Sequence, residues 1–176
     1  PIPIFVLGQP RSGSTLLERL LAQHDDVEAA GELFDFIHQL HWCADLPPRG
    51  FVSIEAAERV ATQDLNNLGQ RYLEHIQWRA NGKKYVIDKL PPNYLLSAFI
   101  AKAIPQAIIL HSVRDSMDTC YSQLKECFDH GYEHSYNPDD MASHYLGYQR
   151  FMQRLQEDIP GRIHDCHHSD LINDPE

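Results

Sequence analysis

Apolar positions along the chain fall into two alternating patterns. Ile2 to Leu7 is a short, almost unbroken apolar run closed by Gly8, as expected of a strand buried on both faces of a parallel sheet. Leu16, Leu17, Leu20 and Leu21 then recur at helical spacing. The same alternation continues. A helix is expected over Glu32–Trp42, with Leu33, Phe36, Ile37 and Leu40 on one face, then a loop over Cys43–Phe51 punctuated by Pro47, Pro48 and Gly50. Ser53 caps a short helix through Ala61, and Asp64 starts a longer one that ends at Gly82. Lys84–Leu90 reads as a second strand, Asn93–Ile104 as a helix and Ala107–Val113 as a third strand. Ser116–Phe128 is helical and Asp129–Tyr136 a polar, aromatic loop. Asn137 and Pro138 start a helix whose stripe Met141, Tyr145, Tyr148, Met152 and Leu155 belongs to the core. Gly161 ends it, and Arg162–His167 is a fourth, more polar strand. Strands alternating with helices give an α/β fold in three layers, with a central parallel sheet of four to five strands flanked by helices. There is no internal repeat and no sign of a second domain, so residues 1–176 read as one.

Composition narrows the function classes. The formal net charge of −10 argues against a general nucleic-acid binder, which needs a basic face, but it leaves room for a local anion site. No apolar run is long enough to span a membrane, and no signal peptide is visible. Cys43, Cys120, Cys127 and Cys166 are scattered. Cys120 and Cys127, if on one helix, lie roughly 10 Å apart, too far to bridge. Free thiols in a reducing, cytoplasmic setting are the simpler expectation. The histidines offer two candidate metal clusters, Cys127/His130/His134/His144 and His38/His41/Cys43. Neither has paired-ligand spacing, so no metal is expected.

Gly8 to Thr15, GQPRSGST, has the spacing of a P-loop with Ser14 where the lysine would stand. Gly8 and Gly13 permit a tight turn, and amides from about Arg11 to Thr15 at a helix N-terminus make an anion site. Arg11 and the hydroxyls of Ser12, Ser14 and Thr15 add donors. A nucleotide kinase or NTPase would need the missing lysine and an acidic Mg²⁺ ligand. Asp88 is the candidate, but Lys89 follows it at once. In VRDSMDTCYSQL, Arg114 lies just past the third strand, at the edge where ligands of open α/β sheets gather. Ser122 follows eight residues on, and the two could hold one phosphate from two sides. Arg114 could equally pair with Asp115 or Asp118 in a capping network.

Taken in order, PRSGSTLLERLL, GELFDF, IDKLPPNY and VRDSMDTCYSQL resemble the sulfotransferase family, in particular its bacterial branch related to protein-tyrosine sulfotransferases. The resemblance runs from Ile2 to the terminal DLINDPE. It implies 3′-phosphoadenosine 5′-phosphosulfate (PAPS) as donor and no metal. It implies that Arg11, Ser12, Gly13, Ser14 and Thr15 bind the 5′-phosphosulfate and that Arg114 and Ser122 bind the 3′-phosphate. Glu32 would be the general base on a hydroxyl or amine acceptor, a peptide tyrosine among the candidates. Lys89 would contact the transferring sulfuryl group. His24 and His111 are rival bases, with His111 more naturally a packed strand residue. The resemblance also implies a domain truncated at its C-terminus, since the family continues with a helix and a basic segment. His168 replaces a tyrosine often placed near the adenine. The acceptor pocket is expected from Glu32–Trp42, Pro47–Phe51 and Asp129–Tyr136. Two alternatives stand beside this reading: a P-loop kinase or NTPase using Asp88, and a non-catalytic adenosine-bisphosphate-binding relative.

Overall fold

The computed structural model describes residues 1–48, 50–51, 53–128 and 131–174. Its strands are β1 (Ile2–Gly8), β2 (Val27–Ala29), β3 (Tyr85–Lys89), β4 (Ile108–Val113) and β5 (Ile163–His167). All pair in parallel, in the order β2-β3-β1-β4-β5. β1 is therefore central, hydrogen-bonded to β3 on one side and β4 on the other, and four of its side chains, Ile4 to Leu7, are almost wholly buried. Its apolar run has no polar alternation because both faces are covered.

The helices are α1 (Ser14–Leu21), α2 (Asp35–Cys43), α3 (Ile54–Ala61), α4 (Leu65–Ile76), α5 (Ser97–Ala103), α6 (Ser116–Leu124), α7 (Pro138–Asp158) and α8 (His168–Asn173). They make the two outer layers. Ile4 and Val6 face Leu17 of α1, with Leu171 of α8 packed alongside. Phe5 and Leu7 face the larger cluster from α2, α4, α5 and α7. There Phe5 stacks on Tyr72 at 5.3 Å and meets Phe36 edge-on at 5.9 Å. The expected stripe of α7 is in this layer, with Met141, Tyr148, Met152 and Leu155 buried.

Several boundaries differ from the sequence reading. β2 is an additional edge strand of three residues. The helix expected from Glu32 begins only at Asp35. The backbone before it is tied to the end of β3, with Ala30 N–H on Ile87 O at 3.1 Å and Lys89 N–H on Gly31 O at 2.9 Å. Glu32 is thus outside the first turn. The helix from Asn93 starts earlier, as a 3₁₀ turn over Pro91–Leu96. The long helix to Gly82 ends as a 3₁₀ turn over Gln77–Ala80. α6 stops at Leu124 instead of Phe128. Of the expected loop Asp129–Tyr136, the first two residues lie outside the described set and Glu133–Tyr136 is a 3₁₀ turn. Ser53, Asp64 and Asn137 do cap their helices through side-chain oxygens.

Two helical glycines make a controlled pair. A Cβ at Gly69 would overlap the Ala103 carbonyl where α4 crosses α5, whereas one at Gly147 on α7 meets nothing within 4 Å. Gly69→Ala is expected to cost about 1–3 kcal/mol as overpacking. Gly147→Ala is expected to gain about 0.5–1 kcal/mol from helix propensity. Urea unfolding of the two variants checks the signs.

Candidate active site

The loop between β1 and α1 lies at the C-terminal edge of the sheet, where the strand order reverses about β1. Gly8 has φ +140°, and a Cβ there would come within 2.7 Å of the Ser112 carbonyl, so the loop can pass over β4 only with glycine. Gly13 caps α1 in a left-handed conformation, and Arg11 is left-handed too. The first amides of α1 have no acceptor within the helix.

Arg11, Gly13, Ser14, Thr15 and Arg114 line a single depression of about 210 Å³. Five of the seven residues expected at the donor are thereby brought together. Ser122 joins through its neighbour, because Arg11 Nε donates to Ser122 Oγ at 3.1 Å. Ser12 departs from the expectation. Its N–H bonds Gln9 O at 3.2 Å, and its carbonyl accepts from Ser112 Oγ at 3.1 Å. Its side chain is buried and lines the cavity walled by His111 and α7, which Arg114 also borders, while its carbonyl ties the loop to β4.

Each cation of the site faces a carboxylate. Arg11 Nη2 lies 3.2 Å from Glu126, and Arg114 Nη2 lies 3.3 Å from Asp118. The expected capping partner of Arg114 is therefore present together with its place in the depression. Lys89 Nζ lies 2.6 Å from Glu32 Oε1, with the lysine nearly buried and the carboxylate half exposed. Lys89 pairs with Glu32 and not with Asp88, because successive strand residues point to opposite faces.

Asp88 is fully buried and accepts from Tyr72 Oη at 2.8 Å and from Asn93 Nδ2 at 3.2 Å. Burial pushes its carboxyl up to about 8, against these donors, which favour the ionised form. A side chain so enclosed is no surface ligand for Mg²⁺, which corrects that expectation. Among the described residues, no three His, Cys, Asp or Glu side chains are grouped to hold a metal, and His130 of one expected cluster lies outside them. No helix among them is long and apolar enough to cross a membrane.

A family model for the sulfotransferase family matches residues 3–176. The chain belongs to the sulfotransferase family. It is 30% identical to an uncharacterised protein of Aquifex aeolicus over 99% of the chain. It is also 30% identical to the protein-tyrosine sulfotransferase of Drosophila melanogaster over 68% of the chain. It spans 24% of the length of each of these two relatives. Among solved structures, the sulfotransferase domain of the Synechococcus PCC 7002 olefin synthase superposes with a TM-score of 0.63 at 22% identity. That match covers the whole of this chain and 70% of the other. The sulfotransferase domain from the curacin biosynthetic pathway gives 0.62 at 17% identity, over 99% of this chain and 70% of its own. The sheet and loop are thus the P-loop-like fold of sulfotransferases.

In this member of the sulfotransferase family a second cavity, of about 260 Å³, opens beside the loop. Pro10, Phe51, Tyr94, Tyr132, His134 and His144 are among its walls. The two imidazoles stack with centroids 3.6 Å apart and 10° between planes. The sequence offered both as metal candidates, and His134 also as part of the expected acceptor-pocket loop Asp129–Tyr136. Gln9, which it passed over, joins the parts. Its Oε1 accepts from Gln123 at 3.3 Å, and its Nε2 lies 3.4 Å from His144 Nε2. His111 is a packed strand residue, bonded to Asp165 at 2.7 Å and to Tyr148. His24 lies on the turn before β2, at the sheet edge remote from the loop. His168 of α8 packs against Gly13 and, with Arg114, walls a recess beside the loop.

Burial, and then the neighbouring His134, lowers the His144 imidazole from 6.5 to about 4. A base with a depressed folded value binds fewer protons folded than unfolded between those two values. Its contribution to stability is therefore present above about pH 6.5 and lost as pH falls towards about 4. Urea midpoints of wild type and His144→Gln across that range are expected to converge on acidification, with the steeper loss in the wild type. Parallel profiles would contradict the assignment.

Proposed function

We propose that residues 1–176 form one sulfotransferase domain that moves a sulfuryl group from PAPS to a hydroxyl or amine acceptor, without a metal. The observation that carries this reading is the convergence of the glycine loop and Arg114, from sequence positions about a hundred residues apart, on one depression at the sheet edge. Loop amides, the α1 N-terminus and two guanidinium groups suit a nucleotide with two separate anionic groups. Residues 11 and 13–15 would take the 5′ end, and Arg114 with Ser122 the 3′-phosphate. Ser12 would serve by fixing the loop backbone.

When bound, the donor supplies the sulfuryl group. The chain's own residues orient it and handle the proton. Glu32 would take the proton from the acceptor. Lys89 beside it would present a cation to the charge that develops on transfer. The aromatic cavity beside Gln9 and Pro10 would seat the acceptor, with its stacked imidazoles as uncharged walls. A peptide tyrosine is one acceptor of suitable shape; the Drosophila relative's name points the same way.

Isothermal calorimetry with adenosine 3′,5′-bisphosphate and with ATP, each with and without Mg²⁺, tests the reading. Bisphosphate binding independent of Mg²⁺ is expected, and ATP binding abolished by EDTA would overturn it in favour of a kinase. Arg114→Ala is expected to weaken bisphosphate by about ten- to a hundredfold, as for loss of a charge-assisted bond, with adenosine 5′-monophosphate much less affected. Equal losses would remove the 3′-phosphate assignment. Glu32→Ala is expected to lower transfer by about 10²–10⁴-fold while bisphosphate still binds. Unchanged turnover would reject the base.

A further inference from the structure

Gly8 lets the chain turn over β4, and the next side chain, Gln9, is carried inward to an exposure of 2%. Its amide is strung between two helices, bonded to Gln123 of α6 at 3.3 Å and to His144 of α7 at 3.4 Å. It also borders two cavities. On one side is the aromatic cavity of about 260 Å³, with Tyr94 and His144 in its walls. On the other is a cavity of about 250 Å³ behind the loop, walled in part by His111 and Tyr148. Among the described residues, Gln9 is the one that lines both. The cavities lie back to back, because Tyr94 of the first meets Tyr148 of the second edge-on at 5.0 Å. The partition between them is therefore this tyrosine pair and the Gln9 side chain.

We propose that Gln9 is a specificity-determining residue: its side chain is the wall that closes the acceptor cavity towards the cavity behind the loop, and it limits the acceptor to a hydroxyl on a single aromatic ring. This rests on the reading of the aromatic cavity as the acceptor seat given above. An apolar cavity of about 150 Å³ holds one benzene ring. The acceptor cavity thus has room for one ring with its substituents, and a second ring in line with the first runs into Gln9. Tyr148 is tied down by its bond to His111, whereas Gln9 is held by two long side-chain bonds, so Gln9 is the removable part of the partition. An amide suits the place because it can accept from Gln123 and donate to an imidazole at once. A leucine there fills the same gap but leaves both neighbours without that partner.

p-Cresol and 4-phenylphenol serve as one-ring and two-ring probes. Each is titrated into the protein and followed by the ring-proton resonances of His144, in the acceptor cavity, and His111, beyond the wall. In the wild type, p-cresol is expected to move His144 and not His111, and 4-phenylphenol to bind more weakly. In Gln9→Ala, 4-phenylphenol is expected to gain about tenfold or more relative to p-cresol and to move both imidazoles. Gln9→Leu is the control, since it loses both bonds but keeps the bulk, and it is expected to hold the wild-type preference within about threefold. Wild-type binding of 4-phenylphenol that is tighter than that of p-cresol and moves His111 overturns the proposal without any variant. So does a folded Gln9→Ala with the wild-type preference. A Gln9→Leu variant that gains as much as Gln9→Ala also overturns it, by marking a loosened loop instead of a missing wall. If p-cresol moves neither imidazole in the wild type, the acceptor seat itself fails. A crystal structure of Gln9→Ala then still decides the wall: one continuous cavity is expected, and two separate cavities overturn it.

Discussion

The fold depends on β1 being paired on both edges and covered on both faces. A strand so enclosed leaves the chain one direct exit, at its C-terminal end. β3 and β4 lie on opposite sides of that exit, so their following segments diverge and open a crevice. The glycine loop fills the crevice floor, Lys89 ends β3 on one bank, and Arg114 follows β4 on the other. The site is thus a consequence of strand order, with side chains added.

The parts legible in the sequence are those fixed by local pattern. β1, β3, β4 and α7 announce themselves by period and length, and the caps of α3, α4 and α7 by Ser53, Asp64 and Asn137. β2 does not, because three residues with Glu28 in the middle become a strand only by pairing with β3. The start of α2 was hidden for a related reason. Glu32 suits a helical first turn locally, but residues 30 and 31 spend their backbone groups on β3. In the site, the loop and Arg114 could be read from spacing and motif. The partnership of Arg11 with Glu126 and the hub at Gln9 could not, since each joins elements distant in sequence, nor could the enclosure of Asp88, which needs Tyr72 from α4.

The overall charge of −10 and a cationic site are compatible because the site neutralises itself. Its two arginines and its lysine each face a carboxylate from a nearby element. These pairs also restrain long side chains that would otherwise sample many rotamers, which lowers the ordering cost of meeting a ligand.

The same pairing sets the character of any encounter with a doubly charged ligand. Arg11 and Arg114 do not stand as bare cations; if they bind the donor as proposed, they would trade one anionic neighbour for another. An exchange of that kind yields less net attraction than two unpaired guanidinium groups would, and it gives the departing ligand a resident successor. On the proposed reading, such a crevice would suit repeated turnover more than permanent retention, with Glu126 and Asp118 as built-in placeholders.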